Sequence, residues 1–291
     1  MSEPTLKKTL LFTTLALIAF AANSVLCRLA LGYGAIDAAS FTSIRLFTGA
    51  LTLLIILMIR REKNYLPKQY SWNASLMLFI YAICFSFAYV SLDTGTGALI
   101  LFGAVQITMI LVSLLSGNRL HLSEWMGMAL AFAGFVYLVL PGVSTPPLVG
   151  FLLMTSAGIA WGIYTLKGRD SENPLLDTAY NFFRTLPLIL VLMIVALSRS
   201  QISMEGIVLA MLSGGLASGV GYTIWYAALR GLTSTQAAVV QLSVPVIAAL
   251  GGILFVSERI SLRLSISSIM ILGGILIVVL GRYYFVSAST D

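Results

Sequence analysis

Apolar residues in this chain gather in ten long runs separated by short polar segments. The runs lie near 9–31, 40–59, 72–92, 96–116, 122–140, 148–167, 178–197, 206–229, 235–256 and 264–283. A helix of about 20 apolar residues crosses a hydrocarbon core of about 30 Å. Strands of a membrane barrel would show alternating segments of about ten residues, and the sequence has none. The pattern predicts an all-α integral membrane protein of ten transmembrane helices, with no room for a soluble domain. The first run, "KKTLLFTTLALIAFAANSVLC", is too long for an ordinary signal h-region, and "SVLC" lacks a small residue before Cys27. It is therefore expected to be a retained first helix.

Composition agrees. Of 291 residues, 59% are hydrophobic and 10% charged, where soluble domains carry about 25% charged residues. Mean hydropathy is +0.98. The net charge of +6 does not indicate a nucleic-acid partner, because the basic residues punctuate apolar runs and read as topology signals. With a cytoplasmic N-terminus, the inner loops carry eleven cations: Lys7, Lys8, Arg60, Arg61, Lys63, Lys68, Arg119, Lys167, Arg169, Arg230 and Arg282. The outer side carries four: Arg28, Arg199, Arg259 and Arg263. Both termini are therefore expected in the cytoplasm of a bacterial inner (plasma) membrane. Cys27 and Cys84 lie inside apolar runs and offer neither a disulfide framework nor metal-ligand spacing. No metal or cofactor is expected.

A second pattern overlies the first. Arg45, inside "FTSIRLFTGA", and Arg184, inside "YNFFRTLPLI", are 139 residues apart. The same offset pairs Asn118-Arg119 with Ser257-Glu258, Glu124 with Arg263, Gly134 with Gly273 and Gly142 with Gly281. The third span needs an offset of 137, which matches Tyr89 to Tyr226. Each half holds five spans. Five is odd, so the second half starts on the opposite side, and the repeats are inverted about an axis in the membrane plane. Such architecture typifies secondary transporters with a mid-membrane site between the halves. The halves are placed at 1–143 and 144–291, joined by the Pro-rich "PGVSTPPLVG" from Pro141 to Gly150.

Five-span halves, an Arg early in the second span and the "SERISL" turn (Ser257 to Leu262) before the last span resemble the drug/metabolite transporter superfamily. Its ten-helix EamA-type branch is the nearest likeness. The resemblance covers nearly the whole chain. It implies proton-coupled or exchange transport of amino acids, nucleobases, drugs or other small metabolites, mostly outward. The sequence departs from the family in one place. Pro245 in the ninth span corresponds to Gln106 in the fourth, where relatives often carry Pro, so the halves are expected to bend differently.

Candidate site residues follow. An Arg at the bilayer centre costs about 2.5–3.5 kcal/mol on insertion scales, and Arg45 and Arg184 repeat that cost. Each either walls an electropositive cavity for a substrate anion or braces a neighbouring helix. Every acidic residue lies at a loop or span end, and the first span offers only Asn23, an amide that cannot titrate. Cationic drug efflux through a buried carboxylate is thus disfavoured. Tyr81 and Phe85 recur at helical spacing in the third span, and Tyr222 and Trp225 in the eighth. They suit a cavity or a packed seam, as do Trp161 and Tyr164 in the sixth. Gln106 and Gln241 need partners in hydrocarbon, which a substrate or another helix would supply.

The expected function is a secondary transporter, an exporter of a small polar organic metabolite such as an amino acid. It would work by alternating access at a mid-membrane cavity. A channel or uniporter is the alternative, and a multidrug exporter a weaker one. The chain is not expected to be an enzyme: it has no H-E-x-x-H, no mid-span acid pair, and His121 as its sole histidine. Expected partners are the lipid bilayer, a small-molecule substrate and, as a candidate coupling ion, protons. The working unit is expected to be a monomer.

Overall fold

The computed structural model describes residues 6–60, 72–115, 122–140, 145–168, 171, 173–232 and 234–286, without the side chains of 199, 234–236, 238 and 282–286. Arg61, Lys63, Lys68, Arg119, Arg169, His121 and Pro141 to Val143 of the linker lie outside the described residues, as do the side chains of Arg199, Gln236 and Arg282.

Ten spans are present. They are α1 (Leu6–Gly32), α2 (Ala38–Arg60), α3 (Trp72–Tyr89), α4 (Thr94–Leu115), α5 (Leu122–Val139), α6 (Leu148–Gly168) and α7 (Pro174–Ala196), then α8 (Met204–Leu229), α9 (Ser234–Gln241 and, after a break, Val244–Val256) and α10 (Leu262–Val286). No strand occurs among the described residues. An isolated bridge joins Ile36 to Ile202.

Helix pairing follows the repeat. α2 packs along α7 and α5 along α10; α1 lies against α8, as α3 lies against α6. α4 meets both α6 and the second part of α9. Each helix buries one stripe and leaves another bare. Leu51, Leu54, Ile55, Val191, Ile194, Leu254, Phe255 and Ile269 are all exposed. Apolar surface on this scale is what a bilayer covers.

Two spans are irregular, both in the second half. α9 breaks after Gln241, and Pro245 sits in the first turn of its second part. Proline has no N–H and its ring clashes with the carbonyl four residues back. α4 carries Gln106 at the equivalent place and is continuous. α8 widens into a π-helical stretch from Leu212 to Val220. There a Cβ on Gly214 would stand 2.1 Å from the Arg45 carbonyl oxygen and from Thr48 Oγ1. Only glycine lets α8 lie this close to α2.

Candidate functional site

The α1–α2, α3–α4, α7–α8 and α9–α10 connections share one face of the bundle, here called the first face. Arg45 lies two turns into α2 from that face and is only 2% exposed. Its Nη2 donates to the Tyr81 hydroxyl at 3.0 Å. Its guanidinium carbon stands 4.8 Å from the Phe85 ring centre and 5.2 Å from that of Tyr81, within cation–π range. Tyr81 and Phe85 are one turn apart on α3, so one helix face supplies both rings. Nη1 of Arg45 is buried and has no hydrogen-bond partner. The ionisable groups beside the guanidinium are the Tyr81 and Tyr222 hydroxyls and the Cys27 thiol. Among the described residues no carboxylate is within ion-pairing distance of it.

Rings from the second half complete the cluster. Trp161 of α6 lies 4.7 Å from Tyr81, 5.3 Å from Tyr222 and 5.2 Å from Tyr164, centre to centre. Its indole is half-buried, while Tyr81, Tyr164, Tyr222 and Trp225 are buried. Phe20 of α1 bridges Tyr222 at 5.9 Å and Trp225 at 5.6 Å, and Phe182 of α7 meets Tyr222 at 6.2 Å. The outcome is a cation set in an aromatic wall that both halves build. Such a wall holds apolar bodies, and the guanidinium fixes one polar end.

The structure thus brings together Arg45, Tyr81, Phe85, Trp161, Tyr164, Tyr222 and Trp225. Four candidates stand apart from these contacts. Asn23 is buried, its carboxamide oxygen accepting from the Ser213 hydroxyl, which ties α1 to the π-helical stretch of α8. Gln106 is buried on α4. Gln241 donates to the Ala237 carbonyl of its own turn at 3.4 Å. Arg184 is half-buried. Sequence reading missed Phe20 and Phe182, since a phenylalanine in an apolar run carries no signal of its own. Ser218, the counterpart of Tyr81 on the eighth span at the 137 offset, has a buried hydroxyl without a partner one turn before Tyr222.

An ionic cluster ties the halves together at the first face. Arg28 of α1 pairs with Glu258 at 3.2 Å and with Asp93 at 3.4 Å. It also donates to the Tyr89 carbonyl at 3.3 Å. Glu258 accepts from the Thr94 amide at 2.9 Å and the Thr94 hydroxyl at 3.1 Å. A carboxylate of the second half therefore caps α4 of the first, where the helix dipole favours it. Ser257, with φ of 57°, turns the chain back so that Glu258 seats over Gly252. Tyr33 adds a bond to the Val256 carbonyl at 2.8 Å. The Tyr89 ring meets Phe85 edge-on at 4.8 Å, so this cluster and the Arg45 site share α3.

A cavity of about 330 Å³ opens beside the cluster, lined by Asp93, Thr96, Thr145, Glu258 and Arg259 among others. It lies at the first face and not at the aromatic centre. Among the described residues no cluster of His, Cys, Asp or Glu could hold a metal ion.

Comparison with known proteins matches this geometry to a family. The pattern of the EamA-like transporter family matches residues 7–140 and again 148–280. The chain is 50% identical to an uncharacterized protein of Pseudomonas aeruginosa, over 95% of this chain and 96% of that one. It is 23% identical to a probable amino-acid metabolite efflux pump of Escherichia coli, over 78% of this chain and 81% of that one. A solved protein crystal structure superposes with a TM-score of 0.64 at 19% identity, covering 92% of this chain and 98% of the other. That likeness shows the fold alone.

Proposed function

Since the chain belongs to the EamA-like transporter family, we propose that it exports a small polar organic metabolite, such as an amino acid, by alternating access between its inverted halves. The observation that carries this reading is Arg45: a buried cation between the halves, with a free donor at Nη1 and, among the described residues, no counter-ion. An ion this deep and this poorly paired is costly, and a substrate carboxylate supplies what it lacks. The E. coli relative named as an efflux pump for amino-acid metabolites supports both direction and substrate class. The excess of cations in the loops of the opposite side supports an orientation with the first face outside and both termini in the cytoplasm of the inner membrane.

In this reading the state described is shut at the outer face by the Arg28 cluster. Rocking of the halves parts the aromatic wall to each side in turn. Chemistry on the substrate has no support at this site, which lacks a positioned nucleophile and base. The test is counterflow in proteoliposomes. A carboxylated metabolite that drives saturable exchange is expected to lose at least tenfold in apparent affinity in Arg45→Ala. Unsaturable flux, or unchanged affinity in the variant, overturns the reading in favour of a pore or of another site.

A further inference from the structure

We propose that the ligand of the Arg45 site is a monocarboxylate with a flat apolar body and no second charge, an aryl carboxylate and not the matching zwitterionic amino acid. This rests on the reading of the Arg45 cluster as the substrate site, and within carboxylated small metabolites it replaces the amino acid given above as the example by a carboxylate without an ammonium.

Charge balance carries the first part. One guanidinium stands in the cluster, and its free Nη1 asks for one anionic oxygen. A carboxylate there makes the buried site neutral. A zwitterion restores an uncompensated positive charge, because an ammonium one carbon from that carboxylate meets no acid among the described groups beside the guanidinium. The described carboxylates are all committed elsewhere in the bundle. Asp93 and Glu258 bind Arg28. Asp37 caps α2 and holds the Gln201 amide. Glu205 is in the first turn of α8 and Glu124 in that of α5. Asp177, in the first turn of α7, accepts from Ser171. Beside Arg45 an ammonium meets hydroxyls, a thiol and ring faces, which compensate a buried charge weakly; Asp177 acts on Tyr164, at the far side of Trp161. A dianion fails for the opposite reason. The described groups beside Arg45 include no second cation.

Ring geometry carries the second part. Trp161 stacks on Tyr164 at 28° and lies 32° from the Tyr222 plane. The three rings touch one another and form a wall on which a flat body stacks, with the half-buried indole as its most exposed member. The guanidinium carbon is 5.2 Å from the Tyr81 centre, and Trp161 is 4.7 Å beyond. A short spacer between carboxylate and ring spans that distance. The Ser218 hydroxyl, buried without a partner, is available to a substituent on the body.

Calorimetric titration of the full chain in lipid nanodiscs tests this with four compounds sharing one ring: 3-phenylpropanoate, L-phenylalanine, 2-phenylethylamine and phenylsuccinate. The expected order has 3-phenylpropanoate at least tenfold tighter than L-phenylalanine and than phenylsuccinate, with no heat from the amine. Arg45→Ala is expected to abolish the first titration, and Trp161→Ala to weaken it at least fivefold. L-Phenylalanine binding as tightly as 3-phenylpropanoate, and losing its affinity in Arg45→Ala, overturns the ligand class while the site stands. Titrations unchanged in both variants overturn the site itself. Parent protein that unfolds cooperatively on heating yet binds none of the four overturns the class.

Discussion

Arg45 meets one hydroxyl, two ring faces and, at Nη1, nothing. A bracing arginine in hydrocarbon should spend its donors on helix-end carbonyls, and removing a true brace leaves those groups unpaired at a cost of about 3–5 kcal/mol. Arg45→Met therefore separates the two roles. It deletes the charge, keeps the bulk and strands only Tyr81. The expected result is a melting temperature equal to or above the parent's, with counterflow lost. A fall of many degrees with residual transport marks a brace instead. Sequence reading named Arg45 and most of the residues of the ring wall, because polar-tipped aromatics at helical spacing in two spans are an unusual pattern. It named Arg184 as the equal of Arg45. The repeat does not copy the partner: Tyr81 reaches Arg45, and its counterpart at the 137 offset is Ser218. Asn23 was legible as a buried amide, but its bond to Ser213 depends on how α8 lies against α1, which no local pattern records.

Helix pairing rests on small residues, and the repeat alone misjudges which ones. Equivalence pairs Gly134 with Gly273. In the α5–α10 seam, Gly134 does face α10, at Met270 and Ile271, but Gly273 faces open space. Gly274 takes the seam, where an added Cβ would meet the Gly127 carbonyl oxygen at 2.5 Å, and Gly127 meets Gly274 the same way. The partner atoms are backbone and cannot swing aside. Gly274→Leu is expected to destabilise the protein by about 2 kcal/mol or more. Gly273→Ala should stay within about 1 kcal/mol of the parent, on the stabilising side, by helix propensity. Thermal unfolding of both variants in one detergent checks the contrast; equal losses would refute the assigned seam. The ten spans were legible from apolar runs, and their ends agree within a few residues. The interruption of α9 was foreshadowed by Pro245. The π-helical stretch of α8 was not, since its wide turn depends on Gly214 lying against the Arg45 carbonyl of another helix.

At the scale of the whole molecule, the inverted repeat should make the two faces alike, yet the charges at the first face have no copy. Arg28 corresponds at the 139 offset to Lys167, and Glu258 to Arg119, so the repeat does not carry a second copy of the ion pair. Attraction between the halves at the first face biases the bundle toward closure there. The groups are not equivalent within the cluster. Losing Arg28 removes the ion pairs but leaves Glu258 capping α4. Losing the Glu258 charge removes its pair with Arg28 and weakens the cap on α4, and only the exposed Arg28–Asp93 pair remains. Exchanging the two residues would set a cation at the N-terminus of α4, which the helix dipole opposes. Cys27 reports the result, since it is fully buried next to Arg28 and lies beside Arg45. In a Cys84→Ser background, a membrane-impermeant maleimide applied to the first face should leave the parent unlabelled. It should label Arg28→Gln slowly and Glu258→Gln faster, and the exchanged double variant at least as fast as Glu258→Gln. Equal protection in all four would mean that apolar packing, and not the ionic cluster, holds this face shut.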